Sequence, residues 1–147
     1  MKKFAFGLLI AMALTQVRAE EQWLTDLPKA QAKAKAEKKL VMLDFTGSDW
    51  CGWCIKLHKE VFSTPEFNEY AKKNLVLVVV DFPTPKVPQP AELKKANQAL
   101  QEKYGIEGYP TIIVLDGNGK QVGKLGYNPG GPKAFIAELE KVKKQAT

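Results

Sequence analysis

The chain of 147 residues carries two cysteines, and both lie in the pentapeptide Trp50-Cys51-Gly52-Trp53-Cys54. Two thiols separated by two residues can close into a disulfide and reopen, so this pair could pass electrons to and from other thiols. The reacting species is the thiolate, and a free cysteine with a pKa near ~8.5 is mostly protonated at neutral pH. A helix N-terminus favours the charged form, because its first N–H groups lack partners and the aligned backbone dipoles place positive potential there. A helix opening at the motif makes Cys51 the predicted exposed attacker. Cys54, more buried, then resolves the mixed disulfide and releases the partner. Two other readings compete. A static bridge over so short a loop would constrain the unfolded chain little. A metal site could draw on His58, one helical turn after Cys54, but zinc wants four ligands and no metal site is assigned. Ile55 rather than histidine follows Cys54, so the haem-attachment pattern is absent.

The elements around the motif are those the chemistry needs. Leu40 to Thr46 is a near-continuous apolar run with one acid, Asp44, and reads as a buried strand. Gly47-Ser48-Asp49 turns the chain into the cysteines, and a helix is expected from about Cys51 to Val61. Ser63 and Glu66 have capping-box spacing for another helix ending near Asn74. Leu75 to Asp81 is a second buried strand, β-branched at Val76, Val78, Val79 and Val80. Four prolines make residues 82–90 an extended loop. Ahead of all this, Asp26 can cap an Ala- and Lys-rich helix running from Pro28 to Lys39. After the loop come a helix at Ala91 to Tyr104, strands at Thr111 to Leu115 and Gln121 to Leu125, and a helix from Pro132 to Gln145. Asp116-Gly117-Asn118-Gly119 is a hairpin turn joining the last two strands. Strands separated by helices must run parallel, and the hairpin adds antiparallel strands. The expectation is an α/β fold, a central mixed sheet of about four strands with helices on both faces.

Asp44-Phe45, the segment Asp49 to Cys54, and Gly108-Tyr109-Pro110-Thr111 together resemble the thioredoxin superfamily, in particular its secreted bacterial thioredoxin-like members. The resemblance spans roughly Leu40 to Leu139, with its three motifs in order. It implies a thioredoxin fold, a thiol–disulfide oxidoreductase with Cys51 and Cys54 as redox pair, and a cis Tyr109–Pro110 bond. It also implies that Pro110 lies beside the redox pair and shapes the groove where a substrate strand docks; Tyr109, Trp50, Gly52 and Trp53 are the further candidate substrate-binding residues. Asp44 resembles the family's buried acid, which moves a proton to or from the second cysteine. Burial in an apolar strand would push its pKa up. One extra residue lies between Asp44 and Trp50 relative to thioredoxins, which puts the acid's position under Cys54 in question, and the lysine that often accompanies it is not evident. Gly52-Trp53 supplies no positive charge between the cysteines, which argues against a strongly oxidising pair and for a reductant or isomerase-like exchanger. Trp50, Trp53, Phe82 and Tyr109 are expected near Cys51, where Trp50 and Phe82 either rim the site or pack into the core.

Residues 1–19 read as a secretory leader: Lys2 and Lys3, an apolar run from Phe4 to Val17, then Val17-Arg18-Ala19 before a cut. The run falls short of the about 20 apolar residues of a spanning helix, though an uncleaved anchor is the alternative. Residues 20–147 are then one thioredoxin-like domain of the periplasm or the outside. The leader holds Lys2, Lys3 and Arg18 without an acid, half of the formal net charge of +6. The remaining lysines alternate with glutamates as on a solvated face, so nucleic acid is not an expected partner. Protein thiols and disulfides are the expected substrates, and no cofactor is needed because the electrons travel in the cysteines. A membrane thiol-transfer reductase is the expected source of electrons for a monomeric reductant. The competing function is a non-catalytic thioredoxin-fold binding module or chaperone that uses the aromatic rim, or a Cys/His metal-handling protein.

Overall fold

The computed structural model describes residues 22–146, so the predicted leader lies outside the described residues. The elements follow in the order α1 (Leu27–Glu37), β1 (Leu40–Thr46), α2 (Gly52–Leu57), a π-helical turn (His58–Phe62), α3 (Pro65–Asn74), β2 (Leu75–Asp81), α4 (Ala91–Lys103), β3 (Thr111–Leu115), β4 (Gln121–Leu125) and α5 (Gly131–Gln145). The strands form one sheet in the order β2-β1-β3-β4. β1 and β2 are parallel, with Asp44 opposite Val79. β3 runs antiparallel to β1, with Asp44 opposite Ile112, and β4 antiparallel to β3. The hairpin turn is held by Asp116, whose Oδ1 accepts from the N–H groups of Asn118 and Lys120. Gly119 sits there at φ 83°, a backbone conformation that glycine adopts without a Cβ clash.

Because side chains alternate along a strand, each strand feeds both faces. Met42, Leu75, Leu77, Ile112 and Val114 point to a core closed by Leu57, Phe67, Phe135 and Leu139 from the helices α2, α3 and α5. Val41, Leu43, Phe45, Val78 and Ile113 point to the other, closed by Ala30 and Ala34 of α1 and by Leu100 of α4. Alanines suffice on α1 because they let its backbone lie close to the sheet. Asp44 shares the parity of Met42, and so faces the layer that contains the cysteine helix.

Two expectations shift. Ser63 does not cap α3: Thr64 does, its Oγ1 accepting from the Phe67 N–H at 3.3 Å. The preceding helical run closes with a π-turn at Phe62, one residue past the expected Val61, and Ser63 stays with it, donating its hydroxyl proton to the Lys59 carbonyl at 3.0 Å. Pro65 then occupies the first helical position, where its missing N–H costs nothing. Second, the segment before α1 joins the sheet. Leu24 bridges to Val78, its N–H donating to the Leu77 carbonyl at 2.8 Å and its carbonyl accepting from Val79 at 2.9 Å.

Candidate active site

Cys51 and Cys54 are joined as a disulfide, with Cα atoms 5.2 Å apart. Cys51 is the N-cap of α2, in extended backbone conformation, and its Sγ accepts from the Cys54 N–H at 3.3 Å. Helical backbone continues from Gly52 through Phe62, so peptide dipoles stack behind the sulfur. The expectation of an exposed Cys51 beside a buried Cys54 is not met in this oxidised form: both are buried, Cys51 at 6% exposure and Cys54 at 4%.

The turn that delivers Cys51 is tied to the proline loop. The Ser48 N–H donates to Asp81 Oδ1 at 2.9 Å, and the Ser48 hydroxyl to Asp81 Oδ2. Thr84 donates its N–H to Asp49 Oδ1 at 2.9 Å and its hydroxyl to Asp49 Oδ2. Those bonds from Thr84 hold the Asp49 carboxyl below the usual range. Trp50 Nε1 donates to the Phe82 carbonyl at 2.7 Å, and its indole fills the space that a Cβ on Gly47 would take. Trp50 is a rim residue, half exposed, whereas Phe82 is half-buried and packs on the far core.

The Tyr109–Pro110 bond is cis. Tyr109 stands edge-on to Trp50 at 5.8 Å between ring centroids and lies 5.5 Å from Phe82. Pro110 and Tyr109 face Trp53, Lys56, Tyr127 and Pro129 across a groove of about 570 Å³. Trp53, 57% exposed, is tilted against Tyr127 at 5.1 Å, and Lys56 Nζ sits over both rings. The Tyr127 hydroxyl donates to Glu60 at 2.7 Å. Gly52 is exposed at the start of α2, with open space where a Cβ would be. Sequence reasoning did not single out Tyr127, Lys56 or Glu60. Only the fold folds the loop after β4 back over the helix, and no local pattern marks it.

Asp44 lies in the same pocket as Cys54, a cavity of about 400 Å³ that Thr46, Ser48 and His58 also line. With the extra residue in the turn, the acid and the second cysteine still line one cavity. Asp44 is 7% exposed, and its Oδ1 meets no hydrogen-bond partner. Desolvation by burial, with Asp81 adding like-charge repulsion, pushes its pKa up to about 7, a value suited to taking and returning protons near neutrality. The parallel neighbour is Val79, so no lysine pairs with the acid from that position. Among the described residues no three His, Cys, Asp or Glu side chains converge on a common point.

Comparison with known proteins places this geometry among relatives. A thioredoxin-like domain model matches residues 27–143. Disulfide bond reductase DsbH of Chlamydia pneumoniae is 38% identical over 122 residues, which cover 83% of this chain and 72% of that protein. Thioredoxin-related protein DsbJ of the same species is 30% identical over 81% of this chain, but the match spans 36% of the relative's own length. A solved structure described as DsbH oxidoreductase superposes with a TM-score of 0.80 at 37% identity, covering 89% of this chain and 92% of the other.

Proposed function

Since the chain belongs to the thioredoxin-like family, we propose that it is an exported reductant of protein disulfides in which Cys51 attacks and Cys54 resolves. Thiol–disulfide exchange is the reaction, and the protein is a thiol–disulfide oxidoreductase. The observation that carries the assignment of roles is the cap: Cys51 Sγ takes the Cys54 N–H at the head of an eleven-residue helical run, Gly52 to Phe62. Unpaired amides and dipoles there favour the thiolate of Cys51 over that of Cys54, which sits inside the helix.

In the reducing direction the Cys51 thiolate attacks a substrate disulfide, forms a mixed disulfide and expels one substrate thiolate. Cys54 then loses its proton to the Asp44 carboxylate and attacks Cys51. The mixed disulfide breaks, the Cys51–Cys54 bond forms, and the second substrate thiolate leaves and takes a proton from water. The groove between Pro110 and Trp53 is the place where an extended substrate segment lies beside the sulfur pair. Trp50, Gly52, Trp53, Tyr109 and Pro110 would contact it.

The similarity to a protein described as a disulfide bond reductase and the absence of a cation between the cysteines both support the reducing direction. The predicted leader supports action in the periplasm or outside, with electrons resupplied by a membrane thiol-transfer reductase. Titrating the pair against a dithiothreitol or glutathione series tests the direction. A potential near that of thioredoxin, about −270 mV, is expected, and one near about −120 mV would make the protein an oxidant instead. Cys51→Ser should abolish disulfide reduction. Retained function in that variant would favour the non-catalytic binding module.

A further inference from the structure

Asp44 can receive the Cys54 proton only if it can afterwards lose it, and at 7% exposure it has almost no direct contact with bulk solvent. It lines the pocket of about 400 Å³. A cavity of that size has room for several waters, each taking about 30 Å³; its wall is largely apolar, with Trp23, Ile55 and Val79, and its polar groups come from Asp44, Thr46, Ser48 and His58. The unpartnered Oδ1 gives such waters an acceptor. Thr46 and Ser48 also line the pocket, but the Ser48 hydroxyl is committed to Asp81. Besides Asp44 and Cys54, one titratable group lines the pocket: His58. It is exposed on its other side and stands at the first residue of the π-helical turn. Its ring makes an edge-on contact with Phe62 at 6.4 Å between centroids.

We propose that His58 is a proton-relay residue that carries the proton between the water-filled pocket over Asp44 and bulk solvent during the Cys54 step. The proposal rests on the thiol–disulfide reading above. An imidazole can accept a proton at one ring nitrogen while releasing one from the other, so it moves a proton across the pocket mouth without leaving it. The balance is simple: the Cys54 proton passes to Asp44, then by pocket water to His58, then to solvent or buffer, and no electron moves in the relay. The charged groups that act on this path are few. Asp81 raises the proton affinity of Asp44 from the proline-loop side, and Lys56 and Lys59 sit on the same helical run as His58.

The test mixes reduced protein rapidly with a small aromatic disulfide whose thiolate is coloured. The first thiolate released reports attack by Cys51, and the second reports resolution by Cys54. In weak buffer near pH 7, His58→Ala is expected to leave the first step unchanged and slow the second about tenfold, below the 10²–10⁴ of a direct general base. Added imidazole should restore the second step. A second step as fast as in the parent protein overturns the proposal, and so does a slow one that imidazole leaves slow, since that marks a structural role. His58→Gln gives the same readings should the alanine variant fold poorly. Failure of the parent protein to release even the first thiolate would instead overturn the oxidoreductase reading.

Discussion

Replacing Asp44 by asparagine isolates the cost of keeping an acid inside the sheet. The carboxyl titrates at about 7 in the fold against 3.8 ordinarily, and each pH unit of difference is worth about 1.4 kcal/mol. The ionised form therefore opposes folding by about 4 kcal/mol. The sign follows from proton counting. Below about pH 4 the carboxyl is protonated in both states and nothing is lost. Between about 4 and 7 the unfolded chain releases the proton while the folded protein keeps it, so stability falls as pH rises. Above about 7 the loss is complete. Asparagine cannot ionise, but its amide would cost about 1–3 kcal/mol if it found no partner in the pocket. Asp44→Asn should thus be more stable than the parent by about 2 kcal/mol at pH 8, and no more stable at pH 4. Urea unfolding of both oxidised proteins from pH 4 to 8 reads this directly. Parallel stability profiles would refute the reasoning, because they would mean that Asp44 titrates in the fold as it does in the unfolded chain.

Thr64→Ala should cost about 1 kcal/mol as a lost N-cap, and Ser63→Ala clearly less; equal losses in urea unfolding would return the cap to Ser63. A Cβ on Gly123 would lie 2.7 Å from Val142 Cγ1, so Gly123→Ala should cost about 1–3 kcal/mol by overpacking. Val142→Ala in the same chain should recover part of that, and strictly additive costs would exclude the contact. Trp50→Phe deletes the 2.7 Å donation to the Phe82 carbonyl. It should cost about 1 kcal/mol and hasten hydrogen exchange at Thr84; unchanged exchange would show that the loop does not depend on that bond.

What could be read from the residues in advance was whatever is local. β1 and β2 announce themselves as apolar runs, the hairpin by its Asp-Gly-Asn-Gly turn, and the redox pair by its place between a strand and a helix. Strand directions followed because helical crossovers leave little choice. The cis bond before Pro110 came only through the family resemblance. What stayed hidden depends on residues far apart in the chain. Asp49 meets Thr84 and Ser48 meets Asp81 across more than thirty residues, and Tyr127 reaches Glu60 across 67. Asp81 read as nothing more than the end of a strand. The Ser63 expectation failed for a different reason: two capping candidates stand side by side, and a π-turn upstream decides between them. In the sequence His58 is a candidate metal ligand; only the pocket sets it beside Asp44 and Cys54.

The short bridge at Leu24 has a bearing on how the molecule keeps to itself. A sheet whose strands are this rich in valine and isoleucine invites lateral growth wherever a border strand offers free amides and carbonyls. On the β2 border, Leu24 occupies the groups of Leu77 and Val79 like a bolt across a door. The opposite border, β4, is five residues long and interrupts its pattern with Gly123 and Lys124. Versions of the protein trimmed past Leu24 would bare the first border, and clumping during expression or storage is the behaviour to watch for in them.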